Sequence, residues 1–171
     1  MLKKILLFVL VILIFPICGC DSQQKTDIKT VMRELCALQS ETKGVMYCRK
    51  TEGEEDFFVL DEDNFGRLYS GKFAPPVCID RINDYTVRLP VDDSGYEIHI
   101  IECLNRSDVG EVADMLRQRT EKIQNSEILE YAPENFEKYF RGATVLTYGR
   151  YAVLLATPDN EAAEKLLKKL L

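Results

Sequence analysis

His99 is the only histidine in a chain of 171 residues, so any scheme that needs an imidazole as base or relay has to use it. Its nearest thiol in sequence is Cys103, in the β-rich run "YEIHIIEC" at 96–103. Strand periodicity puts both side chains on one face but about 13 Å apart along it, too far for a nucleophile–base pair. A serine hydrolase would need a nucleophile on a strained G-x-S-x-G turn, and Ser94-Gly95 reads instead as part of a hairpin. His99 is therefore expected to be an ordinary strand residue.

Carboxylates offer other chemistry. "DEDNFG" at 61–66 begins like a calcium loop, with Asp61, Asp63 and Gly66 at positions one, three and six. Position five is Phe65 and position twelve is Lys72, where an EF-hand needs a ligand and a bidentate glutamate, so the run reads as the acidic start of a helix. "DDSGYE" at 92–97 reads as an acidic hairpin tip. No stretch singles out two of the 28 acids as a hydrolytic pair. Arg117, Arg119 and Lys122 suit a solvated C-terminal helix face that complements the helix dipole. The aromatics Tyr131, Phe136, Tyr139 and Phe140 read as core closure, and no cofactor is implied.

Cysteine chemistry is more informative at the N-terminus. Lys3 and Lys4 precede an uncharged run from Ile5 to Ile17, whose helix would rise only about 20 Å, short of a ~30 Å hydrocarbon core. It ends in Ile17-Cys18-Gly19-Cys20, which resembles the lipobox of bacterial lipoproteins, with an aliphatic residue three before the cysteine and a small one just before it. The resemblance implies a signal peptide over 1–19, acylation of Cys20 with palmitate-type chains, and a polar tether over 20–25. The expected location is the extracytoplasmic face of the cell membrane, held by lipid.

Removing 19 residues from 171 leaves 152, enough for one α+β domain over 26–171. Losing Lys3 and Lys4 lowers the basic count from 22 to 20 against 28 acids, a formal charge of −8. Such a domain is a poor partner for nucleic acid. Cys36, Cys48, Cys78 and Cys103 remain, none spaced as C-x-x-C, so zinc and thioredoxin-like sites are disfavoured. An exported domain can oxidise them, in any of three pairings. The closeness in sequence of Cys36 and Cys48 makes 36–48 with 78–103 the preferred one.

These residues need elements to carry them. Ile28, Val31, Met32, Leu35 and Cys36 follow one helix face, capped by Thr26 or Asp27. "VMYCRK" at 45–50 reads as a strand, "FFVL" at 57–60 as an apolar segment of either type, and 61–71 as a short capped helix closed by Ala74-Pro75-Pro76. "DYTVRLP" and "YEIHIIEC" form a hairpin about 91–95, followed by a helix with Val109, Val112, Ala113, Leu116 and Ile123 inward. Pro133 starts a second short helix; "TVLTY" and "YAVLLAT" then flank Gly149-Arg150, a type II′ turn, before a closing helix with Ala162, Ala163, Leu166, Leu167 and Leu170 inward. Strand, strand, helix thus occurs twice, which predicts an antiparallel sheet with helices mainly on one face and the other open for docking.

"YEIHIIEC", "VGEVADMLRQRTEKIQ" with Arg119 near its end, and "GRYAVLLATPDNEAAEKLLKKL" together resemble small exported lipoproteins of Gram-positive clostridial bacteria that share a domain of unknown function. The likeness spans about 84–171 and rests on hydrophobic pattern. That family carries no established activity or catalytic residues onto this chain, and the four cysteines depart from it. The expected function is a non-enzymatic binding or assembly module for an envelope protein partner. The alternative is an envelope hydrolase built from scattered carboxylates.

Overall fold

A computed structural model describes residues 26–39, 43–70, 78–91, 95–124 and 139–171. The segments expected as signal peptide and tether, Cys20, the Ala74-Pro75-Pro76 stop, the expected tip of the first hairpin and the helix expected from Pro133 fall outside them.

Asp27 opens helix α1 (Ile28–Ala37), its carboxylate accepting from the Thr30 amide at 3.1 Å. The cap satisfies one of the four orphan amides that any helix start leaves. Replacing Asp27 with alanine is expected to cost about 1 kcal/mol of unfolding free energy in a urea titration, with the m-value unchanged.

Strands β1 (Gly44–Cys48) and β2 (Phe57–Val59) follow, so the ambiguous "FFVL" is a short strand. Asp61 caps helix α2 (Glu62–Tyr69), accepting from Asn64 N–H at 2.8 Å, which is the structural use of "DEDNFG". Then come β3 (Ile82–Pro90), β4 (Glu97–Cys103), α3 (Val109–Gln124), β5 (Thr144–Tyr148), β6 (Tyr151–Ala156) and α4 (Asn160–Leu170). Gly149 lies at φ +54, while no other residue type takes a positive φ among the described residues. That pattern fits the type II′ turn, which needs the left-handed region only at its first central residue.

The six strands lie in the order β2-β1-β3-β4-β6-β5, antiparallel throughout except β1 beside β2. The α+β class with a mostly antiparallel sheet matches the expectation. The helices, however, divide between both faces. Tyr85, Val87, Ile101, Cys103, Ala152 and Leu154 point into one core with Phe65 and Tyr69 of α2 and Val112 and Leu116 of α3. Their strand neighbours Ile98, Ile100, Val153 and Leu155 point into a second core with Val31, Met32 and Leu35 of α1 and Ala163 and Leu167 of α4.

The two strand-strand-helix units therefore send their helices to opposite faces, and the open docking face expected from sequence is not formed. The physical reason is legible in β4, whose seven residues are all buried. A strand covered on both sides carries apolar residues on both, and β4 does, with Ile98 and Ile100 on one face and Ile101 and Cys103 on the other, while its Glu97 and His99 find partners inside the core. Among the described residues no helix is long and apolar enough to cross a membrane.

Candidate functional site

The chain's one histidine sits in the middle of β4, at the centre of the sheet. Glu97 and His99 are two apart on this strand and so share the face turned to α2 and α3. His99 is fully buried, and its ring closes a polar tetrad with Glu97, Tyr69 at the end of α2 and Arg119 in the third turn of α3.

Distances within the tetrad fix its protons. Arg119 Nε donates to Glu97 Oε2 at 2.9 Å and its Nη2 to Oε1 at 2.8 Å, a bidentate fork. Burial pushes the Glu97 carboxyl up, but the Arg119 charge and the hydrogen bonds from His99 and Arg119 outweigh it and hold the group down to about 2. With Glu97 ionised, His99 Nε2–H donates to its Oε2 at 2.9 Å, and His99 Nδ1 accepts from the Tyr69 hydroxyl at 2.5 Å. Burial lowers the imidazole pKa, so His99 is neutral in this tautomer, and burial pushes the Tyr69 phenol far up. Arg119 spends its remaining nitrogen, Nη1, on the carbonyl of Leu68 at 2.8 Å.

Tyr, His, Glu and Arg in series are the components of a proton relay. Here every link ends on another protein atom: both ring nitrogens of His99 and both oxygens of Glu97 are engaged, and Tyr69 is 3% exposed. What the arrangement does is bind α2 and α3 to the central strand. Buried ion pairs of this kind add little net stability over an apolar replacement, but they penalise any register in which one partner is missing.

His99 is thus more than the ordinary strand residue expected. Arg119 departs further: placed on a solvated face by its composition, it is largely buried. Its companions keep to that expectation, Arg117 pairing with Asp114 and Lys122 donating to Ser70 O at 3.0 Å. The signal for Arg119 was its spacing, seven residues after Val112 and four after Met115, which is the inward stripe of α3. The matching signal was Glu97, an acid two residues before the chain's one histidine and so on the same face of a central strand.

No disulfide joins the four cysteines of the domain, neither 36–48 nor 78–103. Cys36 Sγ lies against Met46 Sδ at 3.9 Å, Cys48 Sγ against Lys50 O at 3.2 Å, and Cys78 Sγ donates to Glu111 Oε1 at 2.5 Å. Cys103 is buried on the face opposite Cys48. Burial pushes the Cys36, Cys48 and Cys103 thiols up, Cys103 to about 11, so these are weak nucleophiles. Among the described residues no group of histidine, cysteine and carboxylate side chains could hold a metal ion. Phe140 is buried and Tyr139 packs on the α1–α4 core, as core closure requires; Tyr131 and Phe136 fall outside the described residues.

One open polar depression, about 280 Å³, lies where α1 begins, β1 ends and β3 starts. Asp27, Lys29, Arg49, Lys50, Glu52, Asn83 and Asp84 line it. Most of its cations are committed: Lys29 to Glu54 at 2.8 Å, and Arg49 to Glu62 and to the carbonyls of Ile82 and Asn83 at 2.9 and 3.0 Å. Burial pushes the Asp84 carboxyl up, against the amide of Tyr85 that donates to it at 2.8 Å.

Comparison with models of protein families, with curated proteins and with solved structures finds no match to this chain.

Proposed function

We propose that the chain is an exported lipoprotein, acylated at Cys20 and held on the extracytoplasmic face of the cell membrane, whose domain is a binding or assembly module for an envelope protein. The observation that carries the reading is Ile17-Cys18-Gly19-Cys20 at the end of a thirteen-residue apolar run behind Lys3 and Lys4. Helix α1 is capped at Asp27, seven residues beyond Cys20, leaving the length of a short tether between lipid and domain. The sealed tetrad supports a non-catalytic domain, because the chain's one imidazole has both nitrogens occupied and no surface for a substrate.

A second reading, a carboxylate-based envelope hydrolase, is favoured by one observation: Asp84, half-buried with a raised carboxyl, beside Asp27 and Glu52 in the polar depression.

Metabolic labelling with palmitate should mark the wild-type chain and not Cys20→Ala, which should pass from the membrane to the soluble fraction; persistent label on the variant defeats the acylation site. For the domain, cross-linking of intact envelope followed by mass spectrometry should recover a specific protein neighbour. Recovery of none, together with turnover of a glycan or ester substrate that Asp84→Asn abolishes, would favour the hydrolase.

A further inference from the structure

We propose that the β2 edge rests on the bilayer, with Phe58 and Val59 entering the headgroup region beside the lipid anchor; this rests on the lipoprotein reading above. Phe58 and Val59 are 60% and 57% exposed, adjacent, and carried on the outermost strand of the sheet. Exposed edges in soluble proteins are usually blunted by charge, whereas this one carries an aromatic ring on one face of the sheet and a branched aliphatic on the other, so that an edge-on approach brings both to a surface. The other large exposed apolar side chains among the described residues, Leu38, Val91 and Leu104, are scattered singly.

The occupant follows from where the chain enters the domain. The first turns of α1 are clamped to the segment leading into β2: Lys29 Nζ lies 2.8 Å from Glu54 Oε2, and Arg33 Nε and Nη2 donate to the Asp56 carboxylate at 2.6 and 2.8 Å. The Arg33 guanidinium also covers the Phe57 ring at 5.0 Å. The β2 edge is thereby fixed beside the start of α1. From Cys20 to Thr26 is six residue steps, at most about 20 Å even fully extended. A lipid on Cys20 lies at the hydrocarbon boundary, so the start of α1 cannot leave that boundary by more than this, and the adjoining apolar surface is held within reach of it.

The contact is apolar in kind. Lys29, Arg33 and Arg49 each spend their charge on a carboxylate, Glu54, Asp56 or Glu62, leaving little to attract anionic lipid. Phe58 and Val59 would add to the hold of the acyl chains and fix which side of the domain faces away from the membrane.

The chain contains no tryptophan, so each substitution to tryptophan supplies a single reporter. Full-length Phe58→Trp, Val59→Trp and Thr147→Trp would be made in cells that acylate lipoproteins and reconstituted in phosphatidylcholine vesicles with or without lipid doxyl-labelled near the headgroup. Thr147 is exposed on β5, five strand spacings or roughly 24 Å across the sheet. All three proteins should float with the vesicles, and the doxyl label should lower emission at 58 and 59 about twofold while leaving 147 unchanged. Flotation with positions 58 and 59 both unquenched, or with 147 quenched equally, overturns the docking proposal and leaves the lipid anchor standing. Failure to float overturns the anchor and the docking together.

Discussion

Glu97→Leu is expected to lower the unfolding free energy by about 3–5 kcal/mol, because it strands the Arg119 guanidinium in the core without its carboxylate. Arg119→Met alone should cost a similar amount by stranding Glu97. The double variant Glu97→Leu with Arg119→Met should recover most of the loss, since an apolar pair of similar volume has no charge to desolvate. Urea titration of the four proteins gives the coupling energy directly. Additive losses, with the double variant weakest of all, would mean that the pair is not the unit described. His99 qualifies the arithmetic slightly, since its Nε2–H loses its acceptor in both Glu97 variants.

The same tetrad should make the domain acid-labile in two stages. Burial lowers the folded pKa of His99 below its usual 6.5, so as pH falls through that value the unfolded chain takes up a proton that the folded chain refuses. Stability should begin to fall there, and His99 is the sole histidine responsible. Glu97 acts lower. Its carboxyl is held down to about 2 against 4.5 in the open chain, so its contribution is complete above 4.5 and is lost as pH falls towards 2, about 3 kcal/mol in all. Asp84 works in the opposite sense, because a raised carboxyl binds its proton more readily in the folded state.

Thermal or urea unfolding followed from pH 8 to pH 3 should show this slope. His99→Gln should flatten the stretch between pH 7 and pH 5 and leave the lower one. An unchanged slope in that variant would exclude the imidazole as its source.

Much of the architecture can be read from the chain because local signals and tertiary demands agree. Asp27 and Asp61 cap the helices that the apolar spacing predicts, and Gly149 supplies the one conformation a two-residue hairpin needs. What misleads is the second face. α1 and α3 both read as amphipathic, and amphipathicity says that a helix covers something without saying which side of a sheet. The decisive clue is β4, which carries apolar residues on both faces, Ile98 and Ile100 on one and Ile101 and Cys103 on the other, because only a doubly covered strand can afford that pattern.

The tetrad is harder to read for a different reason. Its four members come from residues 69, 97, 99 and 119, and a buried ion pair looks, residue by residue, like any surface charge. Only their joint position, an acid in a buried strand and a base on an inward helix stripe, distinguishes them. The polar depression is harder still, because Asp27, Lys50 and Asp84 converge through strand order alone.

The strand order also has a consequence for how the molecule comes into being. The face that joins α1 to α4 is built from the first described helix and the last one, with Val153 and Leu155 of the penultimate element between them. Roughly half the core therefore lacks part of its cover until α4 is in place. Helices α1 and α4 meet from distant parts of the chain, and such long-range closure is slow by nature. A chain stopped before Asn160 would take Ala163 and Leu167 out of this core and leave α1 with only its packing on the sheet.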